Sequence, residues 1–337
     1  MSTHPKNRII PLFIPHMGCP HRCSFCDQRS ISGESSPVTP QSVRKELAEA
    51  FAVQPVSDGG KTEIAFYGGS FTALPEEEME AFLREAEPYL LSGQAGGIRC
   101  STRPDAITPE IIRTLLRYGV HTVELGAQSL SDDVLQKNLR GHTAGDVRRA
   151  FSLLKDAGFT VGLQMMTGLP GDTAGTLAET VEEILRLHPD MLRVYPTVVL
   201  RGTLLDRWRE EGSFTPMGLP EAVRVCARIL ERMETAGIPV IRMGLHASSS
   251  IEREMTGGAY HPAFKELCQS ELFYQKVSRA LAGALPGSSR TLWVHPRDIS
   301  RAVGQKRENL RRWEALGVKV TVQGSGSIPQ GGFLLKE

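Results

Sequence analysis

The first two thirds of the chain alternates short runs typical of β-strands with longer segments in which apolar residues recur every three or four positions. The runs that predict strands are residues 9–15, 63–67, 98–101, 122–126, 160–165 and 192–197. The segments that predict helices are residues 41–51, 76–90, 109–118, 146–157, 176–187 and 221–236. Short strands that alternate with helices predict a parallel sheet. Because six such units are too few for an eight-stranded barrel, the predicted fold is α/β, a partial (β/α)6 TIM-type barrel.

The alternation stops near residue 244, and a different pattern occupies the rest of the chain. A Gly/Ser-rich stretch precedes a long predicted helix at 262–285. A compact β-α-α-β order follows at 291–295, 298–303, 308–316 and 318–323, and we expect the Gly/Ser-rich tail at 324–332 to be loose. We therefore predict a barrel domain over residues 1–245 and, over residues 246–337, a helical linker with a small α+β module.

Composition adds exclusions rather than a function. The 337 residues include 39 Lys and Arg against 38 Asp and Glu, so the overall charge says nothing about a nucleic-acid or membrane partner, and only local charge could. No apolar run reaches the length of a membrane span, and the N-terminus has no signal-peptide pattern. We therefore expect a cytoplasmic protein with no membrane and no DNA partner, whose six cysteines are thiols or metal ligands rather than disulfides.

The strongest chemical signal is a C-x3-C-x2-C triplet, Cys19, Cys23 and Cys26, in the loop after the first predicted strand. Three thiolates this close in sequence can converge on one centre, and soft sulfur ligands favour an iron–sulfur cluster or zinc. Because a structural zinc site needs four ligands, the alternatives to a cluster are zinc completed by His16 or His21, or three unrelated thiols. A cluster with three cysteine ligands leaves one iron open to a small molecule.

The cysteine loop resembles the signature of the radical S-adenosylmethionine (SAM) superfamily, C-x3-C-x-aromatic-C, with Phe25 in the aromatic position. The resemblance implies a [4Fe–4S] cluster whose open iron binds the amino and carboxylate groups of SAM. In that family the reduced cluster cleaves SAM into methionine and a 5′-deoxyadenosyl radical, which abstracts a hydrogen atom from the substrate. Gly68 and Gly69, which follow the second predicted strand, are similar to the family's glycine motif, whose backbone meets the SAM ammonium group.

Further motifs at successive strand ends extend the resemblance over residues 8–240. Their order is similar to that in the radical SAM domain of the Elongator catalytic subunit and, more distantly, in oxygen-independent coproporphyrinogen oxidase. The resemblance implies that Gln128 meets the SAM ribose, that Arg140 pairs with the SAM carboxylate, and that Gln164 takes a second ribose position. The alternative for each is ordinary strand-end packing or a salt bridge, and no catalytic residue is assigned. The segment after the barrel does not resemble the Elongator acetyltransferase domain, so we do not expect its acetyl-CoA-dependent reaction.

The segment from Val294 to Arg312 resembles a KH RNA-binding motif, in which a G-x-x-G loop between two helices clamps a nucleic-acid backbone. The window from Arg290 to Trp313 contains seven Lys and Arg against two acids, in a chain that is otherwise neutral. The RNA-contacting residues that the resemblance implies are Gly304, Gln305, Lys306, Arg307 and Arg311. Arg307 stands where the motif has its second glycine, which either weakens the close backbone approach or replaces it with a guanidinium–phosphate contact. The alternative is a helical cap with a solvated basic face.

These features together predict a radical SAM enzyme that modifies RNA, either tRNA or rRNA, and that receives electrons from a donor such as flavodoxin or ferredoxin. Two other functions stay open. One is a radical SAM enzyme that acts on a small metabolite such as a porphyrinogen, and the other is an iron–sulfur RNA-binding protein without turnover. Dependence on RNA separates the first function from the second, and formation of 5′-deoxyadenosine separates it from the third.

Overall fold

The computed structural model of the protein describes residues 8–20, 22–33, 38–53 and 62–337. The chain forms two compact units, Met1–Pro216 with Ser248–Gly258, and Met217–Ala247 with Ala259–Glu337. The sequence analysis placed a boundary at residue 245, whereas residues 217–247 lie in the second compact unit. The physical reason is that the helix before residue 245 packs against a later helix of the same unit, and Cys226 and Cys268 on these two helices are fully buried.

The elements are numbered in chain order. The strands are β1 Arg8–Phe13, β2 Thr62–Tyr67, β3 Gly97–Thr102, β4 Val120–Gln128, β5 Thr160–Thr167, β6 Met191–Pro196, β7 Val198–Leu200, β8 Val240–Met243, β9 Met255–Gly258, β10 Ser289–Val294, β11 Lys319–Gly324 and β12 Phe333–Lys336. The helices are α1 Gln28–Ser32, α2 Pro40–Val53, α3 Glu76–Leu91, α4 Pro109–Arg117, α5 Asp132–Lys137, α6 Ala144–Asp156, α7 Ala174–Leu187, α8 Leu204–Glu210, α9 Leu219–Thr235, α10 Ser249–Glu254, α11 Phe264–Ala280, α12 Ile299–Val303 and α13 Glu308–Ala315. All strands and helices predicted up to residue 236 are present, with ends that differ by at most two residues.

The first unit is built on a parallel sheet in which β1 to β6 are neighbours in chain order. Ile10 of β1 lies opposite Ile64 of β2, and the parallel register continues to β6. Ile64, Cys100 and Val123 have no exposed surface, as expected for strands that are covered on both faces. The partial-barrel prediction is therefore confirmed. Because all six strands run in one direction, their carboxyl ends meet at one edge, where ligands bind in such folds.

Four helices of the first unit, α4, α6, α7 and α8, begin at threonine caps. Thr108, Thr143, Thr173 and Thr203 each accept a hydrogen bond from a backbone amide in the first turn of the helix that follows. At Thr143 the side chain of Asp146 returns the hydrogen bond, which completes a capping box. No helix of the described residues combines the length and the apolar character that a membrane crossing requires.

The second unit contains the predicted β-α-α-β order as β10, α12, α13 and β11. The central strand β10 pairs in parallel with β11 and antiparallel with β12. A core that includes Trp313, Leu292 and Val277 joins this sheet to α11 and α13. The sequence analysis missed β12, because it expected a loose tail. The amide of Gly331 donates to Asp298 Oδ2 at 2.7 Å, and this buried carboxylate holds the end of the tail beside the sheet.

Candidate functional site

The three cysteines of the triplet lie in the loop that leaves the carboxyl end of β1. Cys23 is buried, and Cys19 and Cys26 are partly exposed. Ser24 anchors the loop, because its Oγ donates to Asn138 Oδ1 at 2.7 Å and its amide donates to the Asn138 carbonyl at 3.1 Å. The three sulfur atoms therefore belong to one short loop that is fixed to the turn after α5.

The glycine turn after β2 packs directly against the backbone of this loop. Gly68 has a left-handed φ of 90°, and its carbonyl accepts the amide of His16 at 3.0 Å. A Cβ atom on Gly69 would lie 2.7 Å from the carbonyl oxygen of Ile14, and the amide that follows Gly69 donates to the Met17 carbonyl at 2.8 Å. Only glycine fits such a close approach of two backbones. The two glycines therefore belong to the same structure as the cysteine loop.

Burial and the proximity of Cys23 raise the pKa values of the Cys19 and Cys26 thiols, so these two thiols are protonated at neutral pH in the protein without metal. Burial, with a further contribution from the neighbouring Cys23, raises the pKa of Cys26 to about 12. Burial and Cys23 also raise the pKa of Cys19, although the guanidinium groups of Arg103 and Arg140 oppose the shift. Cysteine binds metal as the thiolate, so metal ions that displace these protons would neutralise the negative charges that burial disfavours. The donor set therefore fits a sulfur-ligated cluster chemically.

The two histidines of the zinc alternative provide no support for it. His16 Nε2 accepts the amide of Gln28 at 3.0 Å, which engages that ring nitrogen locally, and His21 lies outside the described residues. In the part of the chain that the structure describes, no three His, Cys, Asp or Glu side chains stand in an arrangement that could hold a metal ion. Ligation by Cys19, Cys23 and Cys26 therefore stays a prediction that rests on the chemistry and position of the loop. Phe25, in the same loop, is half-buried.

Two residues predicted to bind SAM converge at the carboxyl end of β4. Gln128 has a left-handed φ of 64°, which is rare for residues other than glycine. A Cβ atom on Gly126 would lie 3.0 Å from Gln128 Nε2 and 3.3 Å from Arg140 Nη2. Arg140 also donates from Nη1 to Cys23 Sγ at 3.1 Å. Gln128 and Arg140 thus lie together beside the cysteine loop, although their roles toward SAM stay predictions.

Gln164 belongs to a buried polar network inside the sheet. Its Nε2 donates to Ser101 Oγ at 3.0 Å and to Glu124 Oε2 at 3.2 Å. Glu124 also accepts Arg193 Nη2 at 2.8 Å and the Tyr67 hydroxyl at 3.1 Å. Burial by itself would raise the pKa of Glu124, but its guanidinium partners hold that pKa below the ordinary value. The amide of Gln164 is therefore engaged by protein groups, and its predicted ribose contact stays a prediction.

Arg103 is a buried residue of this site that the sequence analysis did not select. Its side chain is 5% exposed, its Nη2 donates to the Arg140 carbonyl at 2.7 Å, and its Nε donates to Asp105 Oδ1 at 2.9 Å. The available signal was its place directly after the predicted third strand. Spacing alone did not indicate that this arginine holds the backbone of another arginine 37 positions later.

A cleft of about 560 Å³ borders the segment around Arg140, and Arg22, Leu139 and Thr143 are among the residues that line it. His142 lies at this cleft and is 5% exposed, and its Nδ1 has no hydrogen-bond partner among the described residues. Burial and the nearby Arg140 charge lower the pKa of His142 to about 4. The imidazole is therefore neutral at physiological pH.

In the second unit, the predicted RNA-binding loop connects α12 to α13. Gly304 is buried, and a Cβ atom there would lie 3.0 Å from the amide of Asn309. Lys306 and Arg307 are exposed and have φ values of 50° and 62°. Gln305 is also exposed. Arg307 therefore adopts the left-handed conformation that a glycine would adopt most easily, although its side chain is large.

Acidic partners reduce the basic charge that the sequence indicated around this loop. Arg301 pairs with Asp298, Arg311 with Glu308, Arg312 with Glu271, and Arg290 with Glu337. Lys306 and Arg307 have no ion-pair partner within the described ranges. Together with Arg297, which is exposed and also has no ion-pair partner among the described residues, these two loop residues carry the unpaired positive charge of the segment.

Comparisons with known proteins agree with this arrangement. Residues 13–184, just over half of the chain, match the model of the radical SAM superfamily, and residues 189–273 match that of the radical SAM C-terminal domain. A protein of Dehalococcoides mccartyi named tRNA uridine(34) acetyltransferase is 31% identical over 230 residues, which are 59% of this chain and 50% of the relative. Human Elongator complex protein 3 is 34% identical over 191 residues, which are 50% of this chain and 35% of the relative. The chain thus spans half or less of the length of these curated relatives.

Solved structures show the same fold. The Elp3 protein of Methanocaldococcus infernus, with an N-terminal deletion, superposes with a TM-score of 0.62 and 22% identity, over 81% of this chain and 63% of that chain. The coproporphyrinogen III oxidase HemN of Escherichia coli superposes with a TM-score of 0.51 and 16% identity, over 70% of this chain and 54% of that chain. At these identities the likeness concerns the fold.

Proposed function

Because the chain belongs to the radical SAM superfamily, we propose that this enzyme cleaves SAM reductively at a [4Fe–4S] cluster held by Cys19, Cys23 and Cys26 and that it modifies tRNA. Members of the superfamily use a [4Fe–4S] cluster and SAM, and these are the cofactors of this chain. When bound, they supply the radical chemistry; the protein supplies ligands, orientation and exclusion of water.

One observation carries the first half of the proposal. The cysteine loop touches both the Gly68–Gly69 turn and the Arg140 side chain at the carboxyl edge of the sheet. Cys23 accepts a hydrogen bond from Arg140, and the loop backbone packs on the glycine turn. Sulfur ligands, a backbone that a small molecule can approach closely, and a cationic donor are the groups that a cluster and SAM need. We assign the SAM ammonium to Gly68 and Gly69 and the ribose to Gln128.

The test of cofactor chemistry is anaerobic reconstitution with iron and sulfide, followed by reduction with dithionite in the presence of SAM. We expect about four iron and four sulfide per chain, and 5′-deoxyadenosine in the products. Cys23→Ala should abolish both, whereas Cys226→Ala, which removes a buried thiol of the second unit, should keep both. Stoichiometric zinc without iron in the anaerobically purified protein would contradict the proposal.

The RNA half of the proposal rests on the loop between α12 and α13 and on the relatives named as tRNA-modifying enzymes. Lys306 and Arg307 project from an exposed loop tip, next to the start of α13, where backbone amides can face a phosphate. The buried Gly304 sets the path of the chain behind this tip. We therefore assign phosphate contacts to Lys306 and Arg307 rather than to Arg311, whose guanidinium pairs with Glu308 at 2.8 Å.

The test of RNA binding is the double variant Lys306→Asp with Arg307→Asp, measured on tRNA at two salt concentrations. Affinity should fall strongly and its salt dependence should flatten, because each phosphate contact releases about one counterion. The matched control is Arg224→Asp with Arg228→Asp, which makes the same charge change on the exposed side of α9. Equal tRNA binding by the folded loop variant and the wild type would favour a small-metabolite substrate instead.

Partner and location complete the proposal. A one-electron donor such as flavodoxin or ferredoxin would reduce the cluster, and we place the enzyme in the cytoplasm, where its RNA substrate is found. Nucleoside mass spectrometry of tRNA from a deletion strain would identify the modified base. A tRNA pool with an unchanged nucleoside profile would contradict the proposed substrate.

A further inference from the structure

The guanidinium of Arg140 is held between the cysteine loop and the end of β4. Its Nη1 donates to Cys23 Sγ at 3.1 Å, and its Nη2 donates to the Gly126 carbonyl at 2.6 Å. The side chain is 7% exposed, and its Nε is buried without a hydrogen-bond partner among the described residues. Two anchors on different elements fix the plane of this group. The position is therefore specific, and a cysteine sulfur is one of its two bonded partners.

The backbone around Arg140 is shaped to keep this position. Leu139 and Gly141, on either side, have left-handed φ values of 55° and 70°. Arg103 Nη2 donates to the Arg140 carbonyl at 2.7 Å, and the carboxylate of Asp105 holds Arg103 in turn. The left-handed region is unfavourable for a residue other than glycine, because its Cβ comes too close to the following carbonyl oxygen. The loop thus tolerates an unfavourable conformation at Leu139, and a second buried arginine supports it.

A second sulfur of the same loop accepts a weaker donor. Gln28 Nε2 lies 3.4 Å from Cys26 Sγ, and the backbone amide of Gln28 donates to His16 Nε2 at 3.0 Å. Hydrogen bonds from charged donors are roughly twice as strong as those between neutral groups. Two sulfur atoms of the loop therefore accept hydrogen bonds of different strength, a stronger one from a cationic donor at Cys23 and a weaker one from a neutral donor at Cys26.

We propose that Arg140 tunes the reduction potential of the cluster through its hydrogen bond to the Cys23 sulfur, with Gln28 as a weaker second donor. This inference rests on the proposed function, in which the three cysteines hold the cluster. Reduction adds one electron from an external donor and makes the cluster more negative. A buried cationic donor at a ligand sulfur stabilises that reduced form, and hydrogen bonds to sulfur raise the potential of iron–sulfur centres. Arg140 is then a positioning and tuning residue, which acts before SAM binds.

The experiment is a potentiometric titration of the reconstituted full chain without SAM, followed by electron paramagnetic resonance of the reduced cluster. Arg140→Gln should shift the midpoint to a more negative potential, and Gln28→Met should shift it in the same direction by less. The matched control is Arg149→Gln, which removes an exposed arginine whose partner is Asp146 and which touches no cysteine. Its potential should equal that of the wild type.

Three results would overturn the inference. The first is an Arg140→Gln variant with wild-type iron content and an unchanged reduction potential in the absence of SAM. The others are a potential shift in Arg140→Gln that arises only after SAM is added, and a potential shift of the same size in Arg149→Gln. If Arg140→Gln does not retain the cluster, a measurement on the wild-type protein tests the contact between Arg140 and Cys23. With arginine labelled by nitrogen-15, its reduced cluster should show a nitrogen-15 coupling that Arg140→Lys changes, and absence of this coupling refutes the contact. A wild type that binds no iron would refute the proposed function, which is a different result.

Discussion

The buried carboxylate of Glu124 gives a sharp test of how the sheet interior is held together. Glu124 is 1% exposed and accepts hydrogen bonds from Arg193, Arg99, Tyr67 and Gln164. The network also contains Glu63, which pairs with Arg99, so two carboxylates balance two guanidinium groups. Glu124→Gln preserves the shape of the side chain and removes one negative charge. Arg99 would then keep Glu63 as a partner, whereas Arg193 would lose the carboxylate that it pairs with.

The expected loss of folding free energy follows from the buried arginine charge that remains after the substitution. Removing one partner of a buried ion pair typically destabilises a protein by 3–5 kcal/mol, because the other charge stays buried and unpaired. Glutamine can still accept one hydrogen bond, so the lower end applies, about 3 kcal/mol. Since every 1.4 kcal/mol is a factor of ten, amides that exchange through opening of this sheet should exchange roughly 100-fold faster.

The assay is native-state hydrogen–deuterium exchange of peptides from β3 to β6, which reports on the first unit separately from the second. Glu110→Gln, which changes a carboxylate on the exposed surface of α4, is the control and should leave these peptides unchanged. Because the folded-state pKa of Glu124 is lowered, its contribution is present above the unfolded value of about 4.3 and is lost as the pH falls below it. The difference between wild type and variant should therefore shrink in acid. Exchange of Glu124→Gln within threefold of wild type at neutral pH would refute the reasoning.

Three further substitutions test the loops. Gly69→Ala should prevent cluster assembly, because its Cβ would lie 2.7 Å from a backbone oxygen, whereas Gly283→Ala, with open space around it, should not; iron content measures both. Arg307→Gly should stabilise the second unit by about 1 kcal/mol, because glycine adopts the left-handed conformation without strain, and it should lower the affinity for tRNA. A melting temperature no higher than that of the wild type would contradict the expected stabilisation. Asn309→Ala should lower the free energy of unfolding by about 2 kcal/mol, because the buried carbonyl of Ala302 and the partly buried carbonyl of Ser270 lose a donor. Urea unfolding equal to that of the wild type would contradict it.

The sequence predicted the strands of the barrel well because their signal is local. Short, mainly apolar runs between helical patterns mark β2 and β5 without any knowledge of their neighbours. β12 was missed because its four residues follow a Gly/Ser-rich tail and form a strand only through their pairing with β10. Elements whose stability comes from a distant partner leave little trace in their own sequence.

The candidate site divides in the same way. Cys19, Cys23 and Cys26 were visible because their spacing is a local pattern. The contact between Arg140 and Cys23 spans 117 positions, and nothing in either segment encodes it by itself. Counting charges in one window also overstated the basic surface of the second unit, because Arg312 pairs with Glu271, which lies outside that window.

Arg307 shows why an apparent departure from a motif can preserve its geometry. The sequence analysis treated the missing second glycine as a loss of close backbone approach, or as an exchange for a charged contact. Arg307 keeps a φ of 62°, while the buried Gly304 and the Asn309 side chain fix the chain on either side. A residue with this strain persists only where its surroundings impose it, and such positions cluster at functional sites. An exposed cation placed in a glycine conformation therefore supports a role for this loop in binding a phosphate backbone, since an uncharged loop would be more stable with glycine there.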